Sequence, residues 1–148
     1  MERTLIGDLN QKIGEEILIK GWVDVRRDHG KLIFIDLRDR SGLVQMVVLP
    51  NHEEAHKIAG ELRSEWTIAI RGQVNKRPDK MVKASVLNGD IEIEVQEITV
   101  LSAAQELPFE KDAEVNLDTM LDYRPLTLRS ERERHIFMVW YNSWNIYD

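Results

Sequence analysis

The sequence predicts an all-β domain with added helices: a five-stranded barrel with one helix between strands 3 and 4, then a connector and a C-terminal helix. Three observations carry that expectation. Five segments before residue 102 alternate apolar and polar residues with period two, as half-buried strands do. One segment between the third and fourth switches to helical spacing. Clusters of Asp, Asn, Gly and Pro punctuate the gaps, where the chain must turn.

The first strand spans 16–27, with Ile17, Ile19, Gly21, Val23 and Val25 on the core side and a bulge or bend expected at Gly21-Trp22. Asp28-His29-Gly30 reads as a turn, and 31–38 as the second strand, with Ile33, Ile35 and Leu37 inward. Asp39-Arg40-Ser41-Gly42 reads as a hairpin turn in which Gly42 supplies an unusual backbone angle. The third strand is 43–49, stopped by Pro50-Asn51. In 52–63, Ala55, Ile58, Ala59 and Leu62 share one helical face, with Asn51 as N-cap. The fourth strand, 66–77, places Trp66, Ile68, Ile70, Gly72 and Val74 on one side. A loop, 78–90, opens at Pro78-Asp79 and closes at Asn88-Gly89-Asp90. The fifth strand, 91–101, slips phase near Gln96-Glu97, which predicts a bulge. This order of strands and helix is that of an OB-fold barrel. The expected division is a barrel at 1–103, a connector at 104–129 of which 119–129 is irregular and broken by Pro125, and a helical segment at 130–148. Ser130 and Glu133 form a capping box, and Ile136, Trp140, Trp144 and Tyr147 recur at helical spacing behind it. So much apolar surface on one helix calls for a partner.

Composition excludes several classes of function. With no cysteine among 148 residues, the chain has no disulfide, thiolate metal site or cysteine nucleophile. That absence fits a reducing compartment, and a cytoplasmic location is expected. No apolar run approaches a membrane span, and Met1-Glu2-Arg3-Thr4 lacks the apolar stretch of a signal peptide, so no membrane partner is expected. The net charge of −6 argues against nucleic acid until it is sorted by position. Segments 20–40 and 66–83 hold eleven basic and five acidic residues, which leaves nine basic and twenty-one acidic elsewhere. Brought together in space, these segments would form a basic surface on an acidic chain.

Strand 2 carries the sharpest chemical signal. Its alternation sends Phe34 outward with Asp36 and Arg38, where an aromatic ring can stack on a base. Gln45, on the adjacent strand, can both donate to and accept from a base edge. Arg26, Arg27 and Lys31 flank the first turn and suit phosphate contacts. The ordinary alternatives are a covered surface aromatic, a polar strand position and a solvated hairpin; the combination is more specific than its members. His52-Glu53-Glu54-Ala55-His56 matches H-E-x-x-H, but no third ligand or substrate cleft accompanies it, so it reads as chance. No catalytic or metal-binding residue is assigned.

The run GWVDVRRDHGKLIFIDLRDRSGLVQMVV (21–48) closely resembles the N-terminal anticodon-binding barrel of aspartyl-tRNA synthetases. The likeness continues through AGELRSEWTIAIRGQV (59–74), NGDIEIEV (88–95) and LPFEKDAEVNLDTMLDYRPLTLRS (107–130), roughly residues 3–135 in all. Asparaginyl and lysyl enzymes share the barrel, and LDYRPLTLR (121–129) is closest to the aspartyl type. The resemblance implies that Phe34 stacks on an anticodon base, Gln45 bonds the central uracil, Arg27 contacts the loop and Glu92 helps read the first anticodon base. His29 is suggestive of an enzyme that also charges asparagine tRNA. VWYNSWNIYD (139–148) departs from the family, whose catalytic domain follows residue 135. The expected function is therefore recognition of tRNA, aspartate tRNA first and asparagine tRNA second, as one module of an ATP-dependent aspartate–tRNA ligase. This chain alone is expected to bind only and to be inactive as an enzyme. ATP, Mg and homodimerisation are expected only of a full-length parent. Two other readings stay open: a free-standing barrel for single-stranded nucleic acid, and a protein-interaction module acting through the aromatic helix.

Overall fold

The computed structural model of the chain describes residues 2–78, 82, 88–109 and 113–144. Strands β1 (Glu16–His29), β2 (Leu32–Arg38), β3 (Leu43–Val48), β4 (Thr67–Lys76) and β5 (Ile91–Ser102) close a barrel in the order β1-β2-β3-β5-β4. Only β3 and β5 are parallel neighbours. Helix α1 (Glu53–Glu61) lies between β3 and β4 in the chain. This is the five-stranded OB-fold that the alternation predicts.

Period two fills the interior. Ile17, Ile19 and Val23 of β1, Ile33, Ile35 and Leu37 of β2, and Ile91, Ile93 and Val95 of β5 are all buried in one cluster. Ala55, Ala59 and Leu62 of the α1 segment join it, with Ile58 packed alongside. The 3-10 helix Ile6–Gln11, for which the sequence showed no periodicity, buries Ile6 and Leu9 completely. In β5 the expected slip is present: Arg71 faces Glu97 and Gly72 faces Val95, so Gln96 is the extra residue.

Several local expectations are corrected. The β1 irregularity falls at Asp24, between Val23 and Val25, not at Gly21-Trp22. Past it the phase inverts, so Val25 is 41% exposed instead of inward. Gly21 answers a different constraint: a Cβ there would lie 2.3 Å from the Arg38 carbonyl oxygen. β1 extends through His29, which pairs with Leu32, so the turn is Gly30-Lys31 and not Asp28-His29-Gly30. Gly30, at φ 75°, takes the positive-φ position that a two-residue hairpin requires. The β2–β3 turn does not use a positive φ at Gly42. The Asp39 carboxylate holds it instead, accepting from Ser41 N at 2.7 Å, Ser41 Oγ at 2.5 Å and Gly42 N at 3.2 Å. The N-cap of α1 is His52, without a side-chain cap bond, in place of Asn51. Most of the expected 78–90 loop lies outside the described residues. Its closing Asn88 takes φ 59° and donates to Ile6 O at 3.1 Å.

The first compact unit ends at Ala104, whose carbonyl accepts from Trp66 Nε1 at 3.1 Å. In the second unit, from Gln105, the stretch read as irregular forms α2 (Leu117–Asp122) and α3 (Arg124–Thr127). Asn116 caps α2 by accepting from Thr119 N at 2.8 Å. Pro125 sits in the first turn of α3, where its missing N–H costs nothing. α4 (Glu131–Trp144) follows, with Ser130 Oγ accepting from Glu133 N at 3.4 Å. The Glu133 carboxylate pairs with Arg124 at 2.7 Å and so does not complete the capping box. Ile136, Trp140 and Trp144 are exposed, and Tyr147 lies outside the described residues.

These packings give a signed prediction for two glycines. Gly21→Ala should destabilise the fold by about 2 kcal/mol, because backbone must shift to admit the methyl group. Gly60→Ala, with nothing within 4 Å of the new Cβ, should stabilise α1 by up to about 1 kcal/mol. Urea denaturation of the two variants measures both.

Candidate nucleic-acid interface

The outward faces of β1, β2, β3 and β5 form one continuous surface. Cross-strand register sets two adjacent rows on it. Arg27 faces Phe34, Phe34 faces Val47 and Val47 faces Glu94. Val25 faces Asp36 and Asp36 faces Gln45, while Glu92 lies one residue before Ile93, the partner of Met46. Directly opposed side chains in such pairs sit about 5 Å apart at Cβ. Phe34, Gln45, Arg27 and Glu92 therefore share one face, built by four different strands.

Phe34 is half-buried and its ring meets the His29 ring edge-on, with centroids 5.6 Å apart. That contact exists because β1 extends to His29 instead of turning there. Arg27 reaches across the strands to Asp36, with Nη2 at 2.9 Å from Oδ1. Gln45 is partly exposed, and among the described residues its amide makes no hydrogen bond. Lys31 is exposed at the hairpin tip, and its carbonyl oxygen lies 3.1 Å from His56 Nε2. One histidine of the H-E-x-x-H run thus ties α1 to the β1–β2 hairpin. Among the described residues no group of three or more His, Asp or Glu side chains is arranged to hold a metal.

Arg26 is placed elsewhere. It pairs with inward-phase Ile35, and its guanidinium donates to Ala59 O at 3.4 Å and to Gly60 O, the carbonyls at the end of α1. A cation at a helix C-terminus is favourable against the dipole and the unpaired carbonyls. Sequence reasoning could not separate Arg26 from Arg27, because the residue that sends them to opposite sides is the bulge at Asp24.

The structure adds residues the sequence reading did not name. Arg77, whose side chain is 5% exposed, lies with Nε 3.9 Å from Glu92 Oε2 and donates from Nη1 to Gly89 O at 3.3 Å. Asn75 Nδ2 donates to Glu94 Oε2 at 3.2 Å. Arg77 belonged to a positive segment in the sequence, which was its only signal. Among the described residues, the basic segments do not merge into an open positive surface. Arg38 pairs with Asp24 at 3.5 Å and Glu65 at 2.5 Å, and Arg71 pairs with Glu16 at 3.5 Å and Glu97 at 3.3 Å. Among the described residues, the exposed cations of these segments are Arg26, engaged at the end of α1, and Lys31, Arg40 and Lys76.

Comparison with known proteins agrees with this fold. The family model for an OB-fold nucleic acid binding domain of the tRNA anticodon type matches residues 17–101. The chain belongs to this family. Within this anticodon-type OB-fold family, the relatives include an aspartate–tRNA(Asp/Asn) ligase of Halothermothrix orenii, 48% identical over 125 residues, covering 82% of this chain and 21% of that protein. An aspartate–tRNA ligase of Oceanobacillus iheyensis is 43% identical over 140 residues, covering 92% of this chain and 24% of that protein. The chain thus spans about a fifth of the length of these curated relatives. Among solved structures, asparaginyl-tRNA synthetase from Pyrococcus horikoshii, complexed with asparaginyl-adenylate, superposes with a TM-score of 0.79. It is 28% identical, over 94% of this chain and 31% of that one.

Arg26 and Arg27 provide a test of this division between the end of α1 and the outer face. Arg26→Ala should lower stability by about 1 kcal/mol through loss of the α1 cap, as chemical denaturation would show. Arg27→Ala, which removes a partly exposed ion pair, should cost well under about 1 kcal/mol.

Proposed function

We propose that this chain binds the anticodon loop of a tRNA and serves as the N-terminal module of an aspartate–tRNA ligase. The observation that carries the reading is the outward face on which Phe34, braced by His29 and opposite Arg27, adjoins the unengaged Gln45 amide. Phe34 supplies a stacking platform, Gln45 a donor–acceptor pair for the central base, Glu92 an acceptor for a guanine edge, and Arg27 and Lys31 phosphate contacts. The identity to aspartate–tRNA ligases supports the assignment of the parent reaction, ATP-dependent aminoacylation. ATP and Mg chemistry, and pairing of two subunits, would belong to the part of those relatives that this chain does not span. His29 beside Phe34, together with the Asp/Asn naming of several relatives, favours aspartate tRNA with asparagine tRNA as a second ligand. The lack of cysteine supports a cytoplasmic location.

Phe34→Ala should weaken binding of an aspartate-type anticodon stem-loop by about 1–3 kcal/mol at fixed salt, the usual worth of one stacked base. Unchanged affinity in a fluorescence-anisotropy titration would remove the stacking role. Gln45→Ala should lower discrimination between loops differing at the central base more than it lowers affinity for either. If matched and scrambled loops compete equally against the unaltered chain, the barrel is a general single-strand binder instead.

A further inference from the structure

Asp36 is at odds with the surface it occupies. It stands on the outward face beside Gln45, on the same strand as Phe34 and two residues away, where its negative charge repels any polyanion that docks. Its side chain is only 14% exposed, and its one described partner is Arg27, at 2.9 Å. Arg27 is the more exposed partner, at 40%, and would otherwise swing freely on a long side chain. The pair runs diagonally between the two rows of the face, from the position opposite Phe34 to the position opposite Gln45.

We propose that Asp36 is a positioning residue for RNA recognition: its carboxylate fixes the Arg27 guanidinium beside Phe34, leaving the remaining N–H donors for phosphate or base. The inference rests on the anticodon-loop reading above and deepens it. Its mechanism is pre-organisation. An arginine already held in its bound geometry loses less freedom when the RNA arrives, and the fixed fork selects where a phosphate or base edge can sit.

Charge and positioning predict opposite signs, which makes the proposal testable. If Asp36 acted only as a charge, neutralising it would tighten binding of an anionic loop. If it positions Arg27, neutralising it weakens binding. The experiment titrates the full 148-residue chain with an aspartate-type anticodon stem-loop at fixed salt, comparing unaltered protein, Asp36→Asn, Asp36→Ala, Arg27→Ala and the Arg27→Ala/Asp36→Ala double variant. Asp36→Ala should bind about five- to tenfold more weakly, and Asp36→Asn, which keeps a neutral acceptor for Arg27, should fall between it and the unaltered chain. In the Arg27→Ala background, the Asp36→Ala loss should vanish.

Equal or tighter binding by Asp36→Asn overturns the proposal even if Asp36→Ala fails to fold. An undiminished Asp36→Ala loss in the Arg27→Ala background also overturns it, because Asp36 would then act through the barrel and not through Arg27. Failure of the unaltered chain to bind the loop overturns the anticodon-loop reading and this inference with it. Binding by the unaltered chain with any of the contrary variant results overturns the inference alone.

Discussion

The extra residue at Asp24 decides which side chains of β1 meet the outside. Had alternation run unbroken from Ile17, Arg27 would share the inward phase of Val23, and Arg26 would lie on the outer face. The slip between Val23 and Val25 exchanges them, setting Arg27 opposite Phe34 and sending Arg26 toward the end of α1. The bulge is pinned from several directions. Arg38 holds the Asp24 carboxylate at 3.5 Å, Ser64 Oγ donates to Asp24 O at 3.3 Å, and Glu65 N donates to Val23 O at 2.8 Å. Glu65 adopts φ 67°, a conformation that costs a non-glycine residue about 1 kcal/mol or more, and its buried carboxylate pairs with Arg38 at 2.5 Å. Removing one partner from such a buried pair is expensive, so this small ionic cluster locks the local geometry on which the face depends.

Ion pairing of this kind changes the meaning of the charge distribution. The positive segments are real in sequence, but much of their charge is consumed by Asp24, Glu65, Glu16, Glu97 and Glu92. What remains for a polyanion among the described residues is a limited set of cations at the hairpin tip and strand ends, with Arg27 tethered among them. On the proposed reading, RNA recognition on this face rests on stacking and hydrogen-bond fit. A net-acidic chain is compatible with RNA binding on those terms.

Much of the fold was legible because period-two burial is a local signal. Ile33, Ile35 and Leu37 against Phe34 and Asp36 could be read from one heptapeptide, and the Gln96 slip in β5 was visible as a broken alternation. The β1 bulge was not legible, since Val25 is as apolar as a core residue and the groups that pin Asp24 come from Arg38, Ser64 and Glu65. The role of Asp39 in the β2–β3 turn was missed for a related reason: a carboxylate can replace a glycine's backbone freedom by accepting several N–H groups at once. Arg77, placed beside Glu92, depends on β4–β5 pairing across a long connection. The 3-10 helix at Ile6–Gln11 and the short helices α2 and α3 are too brief for periodicity to announce them.

On the proposed function, RNA docks on the outer face of β1, β2, β3 and β5, and the Asp24 bulge divides Arg27 from Arg26. Chemical-shift mapping of the ¹⁵N-labelled chain during titration with an aspartate-type anticodon stem-loop tests it directly. The largest shifts are expected at Arg27, His29, Phe34, Gln45 and Glu92, with Arg26, Ala59 and Gly60 little changed. Shifts concentrated at Arg26 and the end of α1, or along the exposed aromatic residues of α4, would contradict it.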